Sequence, residues 1–324
     1  MGEPAGIGGE LTLKAWLGRK TQNLPVFFAI DDPSRLSELA YGLGWTVPLV
    51  EITDPSEATA IFAQALPVLP IFLGLHIKPG HPDPDTVKAV IHSIKTGVEL
   101  CVTGKAAAIV TNPIHKHIMH QGGFAFPGHT EYLASLLKLE SHEVMMLACP
   151  GLRVVPVTIH VALTQAIATL THDKIVEVSR ITAQALTQDF GIRNPRLAIA
   201  GLNPHAGEDG DMGREEIDII APAIQQLQAL GLDAQGPLPP DTLFHEQARS
   251  RYDAAICMYH DQALIPLKTL GFDSGVNVTL GLPIVRTSPD HGTAFDLAGT
   301  GKASEKSLVN ALLMAAEIAN NRAR

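Results

Sequence analysis

The 324-residue chain contains only three cysteines, Cys101, Cys149 and Cys257, and none stands in a CxxC pair. That scarcity excludes a disulfide framework and a thiolate metal site. Two of the three fall inside apolar runs, so they read as buried thiols of a protein in a reducing compartment. Positive charge is also short, with 24 Lys and Arg against 33 Asp and Glu and a formal net charge of -9. With no basic stripe, nucleic acid and anionic membrane are excluded as main partners, although a local basic pocket can still hold an anion. No apolar run suits a membrane span. The longest, Thr59 to Ile77, is interrupted by Pro67 and Pro70 and broken by Gln64 and His76, and it reads as the end of a helix running into a strand. No basic segment precedes an apolar one at the N-terminus, so no secretory signal is expected and the protein reads as cytoplasmic. Internal repeats, low-complexity tracts and a GxGxxG loop are absent as well.

What is present is apolar material, 46% hydrophobic against 18% charged residues, enough for sizeable cores. At this length two domains, or one large α/β unit with an appended lobe, are expected. The chain opens with GEPAGIGGE, a Gly-rich turn with an acidic residue, entering the helix pattern LTLKAWL. PVFFAI, VPLVEI and AAAIVTNP read as strands, and KAVIHSIKTGVELCVTG as an amphipathic helix between them. This alternation predicts βαβ units and a largely parallel sheet with a few antiparallel additions. KIVEVSRITAQALTQDFG and REEIDIIAPAIQQLQALG read as packing helices ending at Gly, GPLPPDTLFHEQARSRYD as a Pro-rich connection, and SEKSLVNALLMAAEIANNRA as a surface helix with one apolar face.

The chemistry-bearing pattern is a set of histidines. VVPVTIH ends at His160, RLAIAGLNPH at His205 and YDAAICMYH at His260, so three apolar strand candidates each terminate at or just past an imidazole. Singly, each is an ordinary partly buried histidine. Brought to the same edge of neighbouring strands, they would form a three-histidine site with an open coordination position, as in a catalytic rather than a structural metal centre. After His260 come Asp261, Gln262, Lys268, Asn277 and Arg286, then the polar loop SPDHGTAFDLAGTGKA, as expected where ligands bind beyond strand C-termini. Upstream, His115, His117 and His120 read as solvated. His129 and Thr130, between Pro127-Gly128 and the helix EYLASLL, stand where a helix start could receive an anion. Asp241 and Thr242 in the Pro-rich connection could reach a site from a loop.

The motifs GEPAGIG, TNPIHK, GHTEYLA, LNPHAGE, GPLPPDTLF, MYHDQALIPLK and GVNVTLGLPIVRTSPDHGTAFDLAGTGKA, in this order over nearly the whole chain, resemble the 4-hydroxythreonine-4-phosphate dehydrogenase family of vitamin B6 biosynthesis. The resemblance implies a two-domain isocitrate/isopropylmalate dehydrogenase-like α/β fold with mostly parallel sheets, an interdomain cleft, and a homodimer that completes a shared active site. Residues 1–125 with 286–324 would form the first domain, and 126–285 the second, carrying the metal ligands and the dimer interface. The resemblance assigns His160, His205 and His260 to one divalent metal (zinc, cobalt or magnesium), and His129, Thr130, Lys268, Asn277 and Arg286 to substrate. Asp241 and Asp261 are the candidate catalytic carboxylates. Asp290, His291 and Gly292 are the candidate contacts to NAD or NADP, bound without a GxGxxG loop.

The implied reaction oxidises 4-phosphooxy-L-threonine to 2-amino-3-oxo-4-phosphooxybutanoate, which decarboxylates to 3-amino-2-oxopropyl phosphate. Two further readings keep the reaction type and change the substrate, to four-carbon sugar-acid phosphates or aromatic cis-dihydrodiols. Others are a catalytically silent protein that binds metal and a phosphate ligand, and an acyl–phosphate transferase on a related fold. The chain departs from the family's usual opening: Glu3 stands in place of Asp, Gly9 in place of Pro, and Met1 falls where a preceding strand would end.

Overall fold

The computed structural model describes residues 1–139 and 143–324. The chain divides into two compact units, Met1–Ser141 with Leu282–Ala319, and His142–Gly281 with Asn320–Arg324. Eleven strands are present among the described residues: β1 (Ala29–Asp31), β2 (Leu49–Glu51), β3 (Leu66–Pro70), β4 (Ala108–Val110), β5 (Val144–Cys149), β6 (Leu152–Pro156), β7 (Arg196–Ala200), β8 (Asp233–Leu238), β9 (Ala254–Cys257), β10 (Val276–Leu280) and β11 (Val285–Pro289).

In the first unit β1 and β2 flank β3, both parallel to it, and β4 runs parallel to β11. Helices join them as the apolar spacing requires. In the helix Val87–Val102 the buried Val87, Val90, Ile94 and Val98 recur every three or four residues and form one core with Ile118, Met119, Leu133, Leu282 and Ile284. Each such side chain contributes about 1.5–3 kcal/mol by leaving water. Asp32 caps the helix Pro33–Gly42 by accepting the amides of Ser34 and Arg35, with Pro33 preset at the first helical position. Phe124, Phe126 and Tyr132 contact one another with ring centroids 5.1 to 5.5 Å apart and join that same core. This packing carries residues 126–139, and with them His129 and Thr130, into the first unit, whereas the sequence reading began the second domain at 126.

In the second unit the strands lie in the order β10, β5, β6, β9, β7, β8. β5 is antiparallel to both β10 and β6, and β6, β9, β7 and β8 are parallel. All four residues of β9 are buried, as expected of a parallel strand covered on both faces. β8 was read from sequence as the start of a Pro-rich connection. Its Gly236 and Pro237 are tolerated because it is an edge strand, where a missing amide removes no shared ladder bond.

The strands also stop sooner than the apolar runs suggest. β6 ends at Pro156, four residues before His160, and β7 at Ala200, five before His205. His260 is not a strand end at all; it opens the helix His260–Gly271. Pairing stops where each chain must leave the sheet to enter its crossover, so apolar character outlasts the hydrogen-bond ladder. His115, read as part of a turn, caps a short helix, Lys116–Gln121, by accepting the Ile118 amide at 3.4 Å. Among the described residues no helix is long and apolar enough to cross a membrane.

Candidate functional site

β6, β9 and β7 are adjacent and parallel, so the segments that follow them leave the same edge of the sheet. These segments carry His160, His260 and His205. The rings of His160 and His260 lie 5.7 Å apart between centroids, tilted by 43°. Nδ1 of His260 is 2.7 Å from Oδ1 of Asp261. An ionised carboxylate only accepts, so Nδ1 carries the proton and Nε2 presents its lone pair, the tautomer of a ligating histidine oriented by a carboxylate.

His205 is exposed and begins an unusual turn. His205, Ala206, Gly207, Glu208 and Asp209 have φ of 53, 53, 82, 41 and 55°, five consecutive left-handed residues of which one is glycine. Each non-glycine residue there costs about 1–2 kcal/mol. Asp241 is exposed in the short turn Pro240–Thr242, which packs against this segment. Among the described residues no three His, Cys, Asp or Glu side chains are gathered at metal-binding spacing. The donor set nonetheless suits a divalent cation of borderline softness: three imidazoles at one sheet edge, two with neighbouring rings and one already oriented.

Lys268 lies on the same helix as His260, half-buried, with Nζ 5.6 Å from the centroid of Phe272. Asn277 is on β10 opposite Leu147, and its Oδ1 is buried with no hydrogen-bond partner among the described residues.

The first unit places Arg286 on β11 at 4% exposure, donating from Nη2 to Thr111 Oγ1 at 2.8 Å. Burial lowers its pKa to about 10, which leaves it cationic at neutral pH. His129 and Thr130 are the first two residues of the helix His129–Leu136, whose N-cap, Gly128, supplies no side-chain acceptor. His129 Nε2 is buried without a partner among the described residues. Burial, and then the charge of Arg286, hold its pKa well below the ordinary value, so the ring is neutral at pH 7. An enclosed guanidinium, a neutral imidazole and the amides of a helix start are groups whose chemistry suits an anion. Thr111 was not singled out as a site residue, although its motif TNP directly follows β4.

The loop after β11 carries the remaining candidates. Asp290 donates its amide to Ser307 Oγ at 3.0 Å, and His291 Nδ1 lies 3.0 Å from the Gly292 carbonyl, to which it donates. Gly292 faces open space, so packing does not demand a glycine there. Further along, the helix Gly8–Leu17 grips the loop. Lys14 Nζ donates to the carbonyls of Gly301 at 3.1 Å and Ala303 at 2.6 Å, while Gly299 donates its amide to the buried Glu10 at 2.9 Å. Desolvation raises the Glu10 pKa. From the sequence Glu10 reads as the end of the Gly-rich turn and Lys14 as an ordinary helix position; the helix takes in both.

Gly9, the departure from the family's proline, has a local reason. A side chain there would come within 2.8 Å of the Arg35 guanidinium, which forms a buried 2.7 Å ion pair with Asp31 and donates to the Pro4 carbonyl.

The family described as pyridoxal phosphate biosynthetic protein PdxA matches residues 23–315. The chain is 50% identical to a 4-hydroxythreonine-4-phosphate dehydrogenase of Bradyrhizobium diazoefficiens over 98% of its length and 95% of that protein's. It is 52% identical to one of Methylorubrum populi over 98% and 93%. Among solved structures, the 4-hydroxythreonine-4-phosphate dehydrogenase of Klebsiella pneumoniae superposes with a TM-score of 0.85 at 36% identity, covering 98% of each chain. A terephthalate 1,2-cis-dihydrodiol dehydrogenase of Burkholderia xenovorans superposes with 0.65 at 25% identity, over 97% of this chain and 95% of that one.

Proposed function

The chain belongs to the pyridoxal phosphate biosynthetic protein PdxA family, and from that premise we propose that it oxidises 4-phosphooxy-L-threonine with NAD or NADP. The product, 2-amino-3-oxo-4-phosphooxybutanoate, is a β-keto acid that loses carbon dioxide to give 3-amino-2-oxopropyl phosphate. The observation that carries the reading is the set of three histidines beyond adjacent parallel strands, in a chain matched along nearly its whole length by dehydrogenases of this name.

His160, His205 and His260 would hold the divalent cation, zinc, cobalt or magnesium, which supplies a Lewis acid for the substrate hydroxyl. Asp261 keeps His260 in the ligating tautomer. Arg286, Thr130 and the neutral His129 receive the phosphate, with Thr111 holding the guanidinium in place. Lys268 and Asn277 are further residues assigned to substrate. Asp241, exposed beside the His205 turn, would orient a ligand or relay a proton. Asp290, His291 and Gly292 would hold the nicotinamide cofactor, which supplies a hydride acceptor when bound; no neighbouring side chain crowds Gly292. A homodimer fits the exposed Val161, Leu163 and Ile167 and the exposed Ile265 and Phe272, all apolar side chains of the second unit.

Dihydrodiols or sugar-acid phosphates are the less favoured substrates, since identity to the dihydrodiol enzyme is 25% against 50% and more for the phosphothreonine enzymes. Steady-state formation of NADH or NADPH from 4-phosphooxy-L-threonine, its unphosphorylated analogue, a four-carbon sugar-acid phosphate and a cis-dihydrodiol tests this. The phosphothreonine should give the highest kcat/KM; faster turnover of either other class would overturn the assignment.

A further inference from the structure

Beneath the three histidines runs a line of buried polar side chains to which the site as described assigns no role. Thr158, two residues before His160, donates from Oγ1 to the Met258 carbonyl at 2.8 Å. Gln262, two residues after His260, accepts the Met258 amide at 2.6 Å and donates to the Gly201 carbonyl at 2.7 Å. Glu216 accepts the amides of Leu202 and Asn203, both at 2.7 Å, and the Asn203 side chain at 2.9 Å. Thr158, Gln262 and Glu216 are exposed by 6%, 6% and 3%. Link by link, the exit of β6 is tied to that of β9, the exit of β9 to that of β7, and the exit of β7, just ahead of the left-handed turn at His205, to the helical segment Glu216–Ile220.

We propose that Thr158, Gln262 and Glu216 are positioning residues that set the three imidazoles relative to one another and so determine metal affinity. This rests on the reading of His160, His205 and His260 as metal ligands. The argument is one of geometry and cost. The strand ladders end at Pro156, Ala200 and Cys257, so backbone pairing alone does not hold the segments that carry the histidines. A buried amide or carbonyl needs a partner; here Thr158 and Gln262 each bridge two of these exits, and Glu216 holds the exit of β7 against the helical segment Glu216–Ile220. The Glu216 carboxylate is satisfied by three N–H groups, all from Leu202 and Asn203, directly ahead of the strained residues. A left-handed run with four non-glycine residues persists only where its surroundings over-determine it. Gly207, the glycine of the run, lies where a side chain would come within 2.7 Å of Glu216 Oε2, so the turn wraps closely over that carboxylate.

Metal-free full-length protein is titrated with Co(II), read both by calorimetry and by its d–d absorption, for the native chain and for Thr158→Val, Thr158→Ser, Gln262→Leu, Glu216→Gln and His260→Ala. Trp16→Phe is the control. It removes a buried hydrogen bond to the Phe62 carbonyl in the first unit, and so costs stability without touching the line. Loss of any one link should weaken Co(II) binding by about tenfold to a hundredfold and alter the absorption band. Thr158→Ser, which keeps the hydroxyl, should restore both, and Trp16→Phe should leave both unchanged. Native-like affinity and spectra in Thr158→Val, Gln262→Leu and Glu216→Gln, with His260→Ala deficient, would overturn the positioning role and leave the metal reading standing. Binding by His260→Ala equal to that of the native chain would overturn both. Should Gln262→Leu fail to fold, the near-isosteric Thr158→Val and Glu216→Gln decide the matter.

Discussion

On the proposed reading, the histidine edge of the second unit and the cation pocket of the first meet the same demand, holding a charged guest, under opposite solvation. His160 and His205 are exposed, and the His260 side chain retains 34% exposure with its orienting Asp261 at 70%. Arg286, by contrast, is almost fully enclosed, and its neighbour His129 is held neutral. Imidazole side chains lose little by facing water, so the edge can remain solvated. A guanidinium taken from water carries its desolvation cost permanently, so the pocket is built around charge in advance. The lesson is that affinity at the edge depends on how firmly the backbone places the ligands, and affinity in the pocket on the stored charge.

The largest effect should come from the edge. Chelation, or His205→Ala, should abolish turnover, with zinc or cobalt restoring the chelated enzyme. Activity in a demonstrably metal-free sample would remove the edge from the reaction and end the comparison.

Next comes the pocket's charge. Arg286→Ala should cost on the order of 2–4 kcal/mol in kcat/KM on the phosphorylated substrate, the loss of a charge-assisted contact to an enclosed anion. On 4-hydroxythreonine the native enzyme should react poorly, and the variant should lose little more. Equal losses on both substrates would mean that Arg286 serves chemistry or folding rather than phosphate. Thr111→Val sharpens the same point at smaller scale: losing the 2.8 Å contact to Arg286 should raise KM by the equivalent of about 0.5–1.5 kcal/mol with kcat little changed. A fall in kcat at constant KM would argue against a purely orienting role.

The smallest effect is a pH dependence of stability. The folded chain holds the His129 pKa well below the ordinary value near 6.5. Between those two values the unfolded chain binds more protons, so stability rises with pH. The contribution is fully present above about pH 6.5 and is lost as pH falls toward the depressed value. Melting temperatures of the native chain and His129→Asn, measured without phosphate from pH 5 to 8, should therefore diverge in slope below about pH 6.5. Parallel curves would show that His129 protonates freely, and the contrast between a charged pocket and a neutral edge would weaken.

How far each region is legible in the sequence follows from the range of its interactions. The parallel α/β architecture, the helix at Val87–Val102 and the order of the three histidines could be read from the chain, because strand and helix periodicity are local and buried parallel strands are continuously apolar. Strand β8 could not, since Gly236 and Pro237 argue against a strand unless the strand is known to lie at an edge. Arg286 could be marked as a cation after a strand, but its burial, its Thr111 partner and the neutrality of His129 come from segments 175 and 157 residues apart in the chain. Glu216 illustrates the limit. In sequence it is one acid of REE at the start of an amphipathic helix; in the fold it lies under the His205 turn and accepts two backbone amides and one side-chain amide from the residues ahead of that histidine. By itself the sequence determined which side chains are available and that they follow apolar strands, since that requires only composition and period. Which strands became neighbours, which groups lost their water and which polar atoms had to satisfy one another were decided by tertiary packing, because desolvation and hydrogen-bond partnership depend on proximity in space rather than along the chain.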